Sequence, residues 1–474
     1  MKQATYTILR AVFPAIFLGV AIIAGLMCTE TASSGALKGS SRGRSIEIVA
    51  ESSRMTAVPP QYRIYDIGVV QGGDTASQGF GVSTGGAAVG RSVRSGGAQA
   101  FTWTSGGGIV GLPNLSGRAF CVSNGANNNG IVAGTCASTL FGSSRLPVIW
   151  QNGAVSQLPL PSGETLGDAS DVNAAGVAVG SVSSGSLQRG VVYSGGTATV
   201  ITQTTSNGSF FLTAFGINDS GRVVGQGIDP TNAARNVGIV YDIGTNSAFE
   251  VGALPGANGA LAFAVSNSGH VVGSSMLNQG SGAPFIWSQS GGMVAIPLAP
   301  GTTQGSARAV NSAGWVVGND SGQFSVPFLY DGTATYRLAD LIPAGTGWDL
   351  SMNTSSSALG ISEHNIIVGT GVYNGQVRAY AMVPVTNASL GGRILTANGA
   401  GIRNAVVAVS GGNLPAPVTM LTGSFGYYNF QGLQPGLTYT VSVTAKRYAF
   451  AQPTRTITLQ ADVADFDFVA DPPQ

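Results

Sequence analysis

Short apolar stretches, each broken by a glycine-containing polar turn, recur along this chain. The clearest copy is Ala214-Phe215-Gly216-Ile217-Asn218-Asp219-Ser220-Gly221-Arg222-Val223-Val224-Gly225. An apolar strand runs into Asn-Asp-Ser-Gly and a second apolar strand closes on glycine. Asn and Asp bond their own backbone and glycine accepts a positive φ, so the middle predicts a tight turn. The closing glycines are Gly90, Gly134, Gly180, Gly225, Gly273, Gly318 and Gly369, spaced 44, 46, 45, 48, 45 and 51 residues apart. A third stretch follows each turn unit: Ala100–Trp103, Pro147–Trp150, Gly190–Tyr193, Gly238–Tyr241, Pro284–Trp287, Pro327–Tyr330 and Ala379–Met382. In the fourth unit Ala248–Gly252 alternates apolar and polar residues and reads as a fourth strand.

Four strands in about 46 residues is one propeller blade, and the two motifs give the same count of seven. Tyr62-Arg63-Ile64-Tyr65-Asp66-Ile67-Gly68 resembles a fourth strand with no blade before it. The last unit ends at Tyr380–Val385 with no fourth strand after it. Pairing these two segments would complete the seventh blade and remove two open edges. The expected fold is all-β: a seven-bladed β-propeller over 60–386, followed by a small β-sandwich over 387–474. The sandwich rests on short alternating stretches after the repeats stop: Gly392–Leu395 running into the turn Asn398-Gly399, then Val406–Val409, Phe425–Phe430, Tyr439–Val443 and Ile457–Leu459.

Composition agrees with this picture. Of 474 residues, 43% are hydrophobic and only 9% charged, which suits a core rather than a disordered polyelectrolyte. Glycine, at 71 residues, is spread through the repeats, as many tight turns require. The net charge of +1 and the lack of a basic face give no footprint for nucleic acid, which is not an expected partner.

The N-terminus carries Lys2 and Arg10, an uncharged stretch Ala11–Met27, and then small and polar residues. This predicts a secretory signal over 1–33, with an uncleaved anchor as the alternative, and a flexible linker over 34–59. The chain is expected outside the cell or at its surface, touching membrane only through that segment if it is uncleaved. Gly25, Leu26 and Met27 precede Cys28 where a bacterial lipidation box has a small residue before its cysteine, and Met27 argues against lipidation. Without the leader, Cys121 and Cys136 remain, flanking the turn at Asn124–Asn129 on strands that would set them nearly opposite. In an exported protein they are expected to form a disulfide; two buried thiols are the alternative.

The search for chemistry yields little. His270 and His364 fall at turn positions and open no zinc motif. Glu164, Asp168 and Asp171 are the densest acidic break in the repeats, read as a solvated loop or a weak calcium site. Asp219, Asp242 and Asp331 sit at turn positions, and the Gly-rich segments have no helix after them to cradle a phosphate. No catalytic residue and no cofactor is assigned. The aromatics that close the third strands are expected to fill the gaps between blades.

The "Ile/Val-Asn…Gly…Val-Val-Gly" turn with its following "Ala-Phe-…-Trp" strand resembles the HAF family of extracellular repeats. That resemblance implies export and says little about chemistry. Gly392-Arg393-Ile394, Gly401-Ile402-Arg403-Asn404-Ala405, Ser424–Phe430 and Gly436–Tyr439 resemble a carboxypeptidase regulatory-like domain, a transthyretin-like sandwich. The resemblance implies a non-catalytic domain of carbohydrate-binding-like fold. Related surface sandwiches form Lys–Asn crosslinks, but Lys446, beside Arg447, is the only lysine after residue 38 and suggests none.

The expected function is a non-enzymatic exported scaffold that binds a carbohydrate or protein at the cell surface. Its ligand is expected at the loops between second and third strands, 91–98, 137–146, 181–189, 226–237, 274–283, 319–326 and 370–378. The alternative is a propeller hydrolase or lyase acting on polysaccharide.

Overall fold

A computed structural model describes residues 59–472 apart from 140–143, 186, 277–281, 322–324, 351–354, 386 and 413. The predicted leader and all but the last residue of the predicted linker lie outside the described residues. Seven antiparallel blades follow one another around a ring, with inner strands Ala76–Val82, Phe120–Ala126, Leu166–Val172, Phe210–Ile217, Gly259–Val265, Gln304–Val310 and Ser357–Ile361. The first two blades also share one parallel bridge, between Ala98 and Phe120.

The ring closes through its first strand. Tyr62–Asp66 pairs antiparallel with Gln376–Pro384, in register from Tyr62 opposite Pro384 to Asp66 opposite Tyr380. Blade seven is thus three late strands completed by an early one, which covers both open edges. This blade departs from the others in one respect. The longer spacing before Gly369 holds a 3-10 turn, Leu338–Leu341, and a two-residue strand, Trp348–Asp349, that pairs with Tyr373 and Val372 of the second strand.

Each blade repeats one device. The inner strand carries a β-bulge, at Gly79/Gly81, Ser123/Gly125, Ala169/Asp171, Ala214/Gly216, Ala262/Ala264, Ala307/Ala309 and Ala358/Gly360. A bulge sets two residues against one and turns the local strand face. The closing glycine lies opposite it. A Cβ on Gly225 would stand 1.9 Å from the Thr213 carbonyl oxygen, and one on Gly90 would stand 2.0 Å from that of Gln78 and 2.8 Å from the Phe101 ring. The repeated glycine is therefore a steric requirement of the bulge and of the aromatic behind it, not of a turn.

Those aromatics are core. Phe101, Trp150, Tyr193, Phe285, Phe328 and Tyr380 are all buried. Trp150 of blade two packs with Val89 and Ala100 of blade one, and Phe285 of blade five with Val224 and Val240 of blade four. Neighbouring sheets thus share each apolar layer. Burying a side chain of this size stabilises by roughly 1.5–3 kcal/mol.

The C-terminal unit is a sandwich of two sheets. Tyr427–Leu433, Ala388–Leu395 and Phe468–Val469 form one; Val418–Leu421, Val406–Gly411, Thr438–Thr444 and Thr454–Thr458 form the other. Leu390, Ile394, Val407, Val409, Tyr439, Val441 and Phe468 meet between them.

Candidate functional site

The turns between inner and second strands form one rim of the ring. Asn173 shows how the repeated asparagine works there. Its Oδ1 accepts from the Ala175 and Val177 amides at 3.1 and 3.0 Å, and its Nδ2 donates to the Asn218 carbonyl of the next blade at 3.1 Å. Asn127 reaches Asn173, Asn218 reaches Ser266 and Asn311 reaches Ser362 in the same way. Ser83, Ser266 and Ser362 take the position in the other three blades and cap only their own turns.

Inside this rim lies an axial cavity of about 540 Å³. The extra residue of each bulge lines it: Phe80, Asn124, Ser170, Phe215, Phe263, Arg308 and Leu359. Each is half-buried. Without the bulge, strand alternation would set these positions on a different face. The wall is divided. Blades four to seven and blade one supply Phe215, Phe263, Arg308, Leu359 and Phe80; blades two and three supply Asn124 and Ser170. The volume falls in the range typical of small-molecule sites.

Arg308 is the distinctive group. Its guanidinium carbon stands 4.3 Å from the centroid of Phe263, whose ring lies 5.5 Å from that of Phe215. Among the described residues it has no hydrogen-bond or ion-pair partner, and its Nε is buried without one. Burial pulls its pKa below the usual arginine range. The acids of the cavity are all engaged. Asp171 accepts the Val172 amide at 2.8 Å and the Ile217 amide at 3.1 Å. Burial still pushes its pKa up to about 6, with a further upward push from Asp219. Asp219 accepts from the Ala174 amide and from Asn267 Nδ2, and Glu363 from the Ser312 amide and hydroxyl.

Several sequence expectations are corrected. Glu164, Asp168 and Asp171 do not form a solvated loop. Glu164 is buried against Arg189, Asp168 lies on an inner strand bonded to Ser181 with Arg145 at 3.4 Å, and Asp171 alone faces the cavity. Burial raises the Asp168 pKa against those contacts. Among the described residues no group of three or more His, Cys, Asp or Glu side chains could hold a metal ion.

Some of the expected ligand loops are shorter than the sequence implied. Arg94 pairs with Gly97, Asp229 with Asn232 and Tyr373 with Gln376, so these connections are two-residue hairpins. The hydrogen bonds of the ladder extend into stretches that the sequence left as loop. In an up-and-down blade these hairpins also fall at the opposite end from the axial cavity.

His270 lies in its turn with Nδ1 2.9 Å from the Ser268 hydroxyl, and the His364 amide donates to Ser362 Oγ. Cys121 and Cys136 face each other in register and are joined by a disulfide. The bulge residues were missed in the sequence, yet a signal exists: each lies ten positions before its closing glycine.

The profile of the carboxypeptidase regulatory-like domain matches residues 389–470, and the C-terminal sandwich is a domain of that type. No curated protein matches the chain. Among solved structures it is similar to a streptogramin B lyase at 10% identity and a TM-score of 0.41, over 68% of this chain and 98% of that one. It is also similar to an oligogalacturonate lyase from Vibrio parahaemolyticus, at 9% identity and a TM-score of 0.42, over 68% and 97%. A third similarity is to the β-propeller domain of the trilobed protease from Pyrococcus furiosus, at 12% identity and a TM-score of 0.35, over 67% and 94%. At such identities none of these activities carries across.

Proposed function

We propose that this protein is an exported, non-catalytic scaffold of the HAF-repeat type that binds a carbohydrate or protein ligand at the cell surface. The ligand site of this reading is the axial cavity. One observation carries it: the seven bulge positions hold five different residue types while the bulge and its glycine recur in all seven. A rigid repeated frame with varied side chains around one cavity is how scaffolds place recognition. The secretory pattern of the N-terminus and the appended sandwich support a role outside the cell.

The test is a glycan array probed with the purified chain and with Ser170→Trp. Phenylalanine already occupies three equivalent positions, so this variant plugs the cavity without disturbing the frame. Saturable binding that the plug removes supports the reading. Binding that survives the plug places the ligand elsewhere. Polysaccharide turnover lost on substitution of Glu164, Asp168 or Asp171 would replace this reading with a lyase or hydrolase.

A further inference from the structure

We infer that the axial cavity binds a ring-bearing carboxylate, its acid group on the Arg308 guanidinium and its ring against Phe263 and Phe215. The inference rests on the axial-site reading above and adds the chemistry of the ligand.

Three observations converge on it. First, among the described residues Arg308 is the one charged side chain lining the cavity that has neither a hydrogen bond nor an ion pair. A desolvated charge is costly unless an opposite charge and hydrogen bonds meet it. A carboxylate supplies both, and the planar guanidinium matches its two oxygens.

Second, the surroundings are arranged for a ring. Arg308 stacks on Phe263 at 4.3 Å, and Phe263 leans on Phe215 with 5.5 Å between centroids. Stacking fixes the fork in place, so little freedom is lost when it takes a ligand. Leu359, the bulge residue of the next blade, extends the apolar wall on the far side of Arg308.

Third, the acids of the same cavity do not neutralise this arginine. Asp171 spends its oxygens on inner-strand amides, and Asp219 and Glu363 spend theirs on amide or hydroxyl donors of the rim turns. No ion pair joins any of them to Arg308. The blades opposite carry Asn124 and Ser170, which offer uncharged polar contacts to the rest of a ligand.

Ring carboxylates come from two sources, aromatic acids and uronic sugars. Calorimetric titration of the full chain distinguishes them, using 1-naphthoate against 1-naphthamide and glucuronate against glucose. At least one acid is expected to bind about tenfold or more tightly than its neutral partner, the scale of one hydrogen bond to a charged group. Arg308→Gln should abolish that preference, and Arg308→Lys should keep part of it. The melting temperature of Arg308→Gln without ligand should not fall, since the half-buried guanidinium has no hydrogen bond or ion pair among the described residues to lose; this separates loss of binding from loss of fold.

If neither acid beats its neutral partner, or the preference survives Arg308→Gln, the inference is overturned. Neutral and acidic probes that bind equally, and are both lost in Ser170→Trp, would sink the charge argument while leaving the cavity as the site. Probe binding that is untouched by Ser170→Trp would sink the axial-site reading itself.

Discussion

The Asn173 side chain donates from Nδ2 to the Asn218 carbonyl at 3.1 Å, tying the third blade to the fourth while its Oδ1 closes its own turn. The three blades that use serine close the turn without the tie. Two substitutions separate the roles. Asn173→Ser is expected to lose only the inter-blade bond, about 1 kcal/mol. Asn173→Ala also leaves the turn amides without their acceptor and is expected to cost about 2–3 kcal/mol. Urea denaturation of both variants measures the difference, and equal losses would disprove the division of labour.

Gly225→Ala places a Cβ 1.9 Å from the Thr213 carbonyl and should destabilise by about 1–3 kcal/mol or more through forced backbone displacement. Gly106 has nothing within 4 Å of its Cβ position. Gly106→Ala should be neutral, or stabilising by a few tenths of a kcal/mol, by restricting the unfolded chain. Thermal unfolding of the pair checks the steric account, and a Gly225→Ala protein as stable as the parent would refute it.

Tyr62 sits in the closing strand with 1% of its surface exposed, and its hydroxyl is buried without a partner. Tyr62→Phe removes that unsatisfied group and should stabilise by about 1 kcal/mol. Tyr62→Ala keeps the strand but empties the apolar layer that Tyr62 shares with Val317 and Leu329 of blade six and Tyr380 and Met382 of blade seven, and should cost about 3–5 kcal/mol. Denaturant midpoints give both signs.

Reduction of the Cys121–Cys136 bond, or Cys121→Ser with Cys136→Ser, reopens a loop with a sequence separation of 15 residues. Chain entropy sets the loss at about 3 kcal/mol. Melting with and without reductant measures it, alongside mass spectrometry of the alkylated, unreduced chain. Free thiols in the isolated protein would rule out the pairing.

Stability should peak in mildly acidic solution. Burial raises Asp171 and Asp320 to about 6, so the folded state holds protons that the unfolded chain has released. Their contribution is greatest below the unfolded carboxylate value, about 4, and is lost as pH rises through 6. Hydrogen bonds from Thr231 and Arg235 lower Asp229 to about 2, and that contribution is lost as pH falls from about 4 to 2. Asp242, Glu250 and Asp331 are lowered as well and act in the same sense. Denaturation at pH 2.5, 4.5 and 7.5 should show the maximum at the middle value. Asp320→Asn should flatten part of the slope between 4.5 and 7.5, and a slope left unchanged would count against the assignment.

Much of the fold was legible because it is periodic. The spacing of Gly90 through Gly369, the matching third strands and the unpaired segment at Tyr62–Gly68 define blade number and closure, since an apolar sheet face needs a neighbour to cover it. Strand alternation and glycine turns likewise marked the C-terminal sandwich. These features depend on residues near one another in sequence, or on a rule that every copy obeys.

The site was not legible, because it depends on where the bulges turn the chain. Phe263 and Arg308 are separated by one repeat and read as ordinary strand positions; only the bulges of two blades bring the guanidinium over the ring. Glu164 and Asp168 read as solvent-exposed for the same reason, since their arginine partners, Arg189 and Arg145, are more than twenty positions away in the chain. Sequence by itself determined the repeating frame, whose stability comes from local pattern. Tertiary structure decided which seven side chains face the axis and which charge was left without a partner, because closure of the ring sets distances that no single repeat contains.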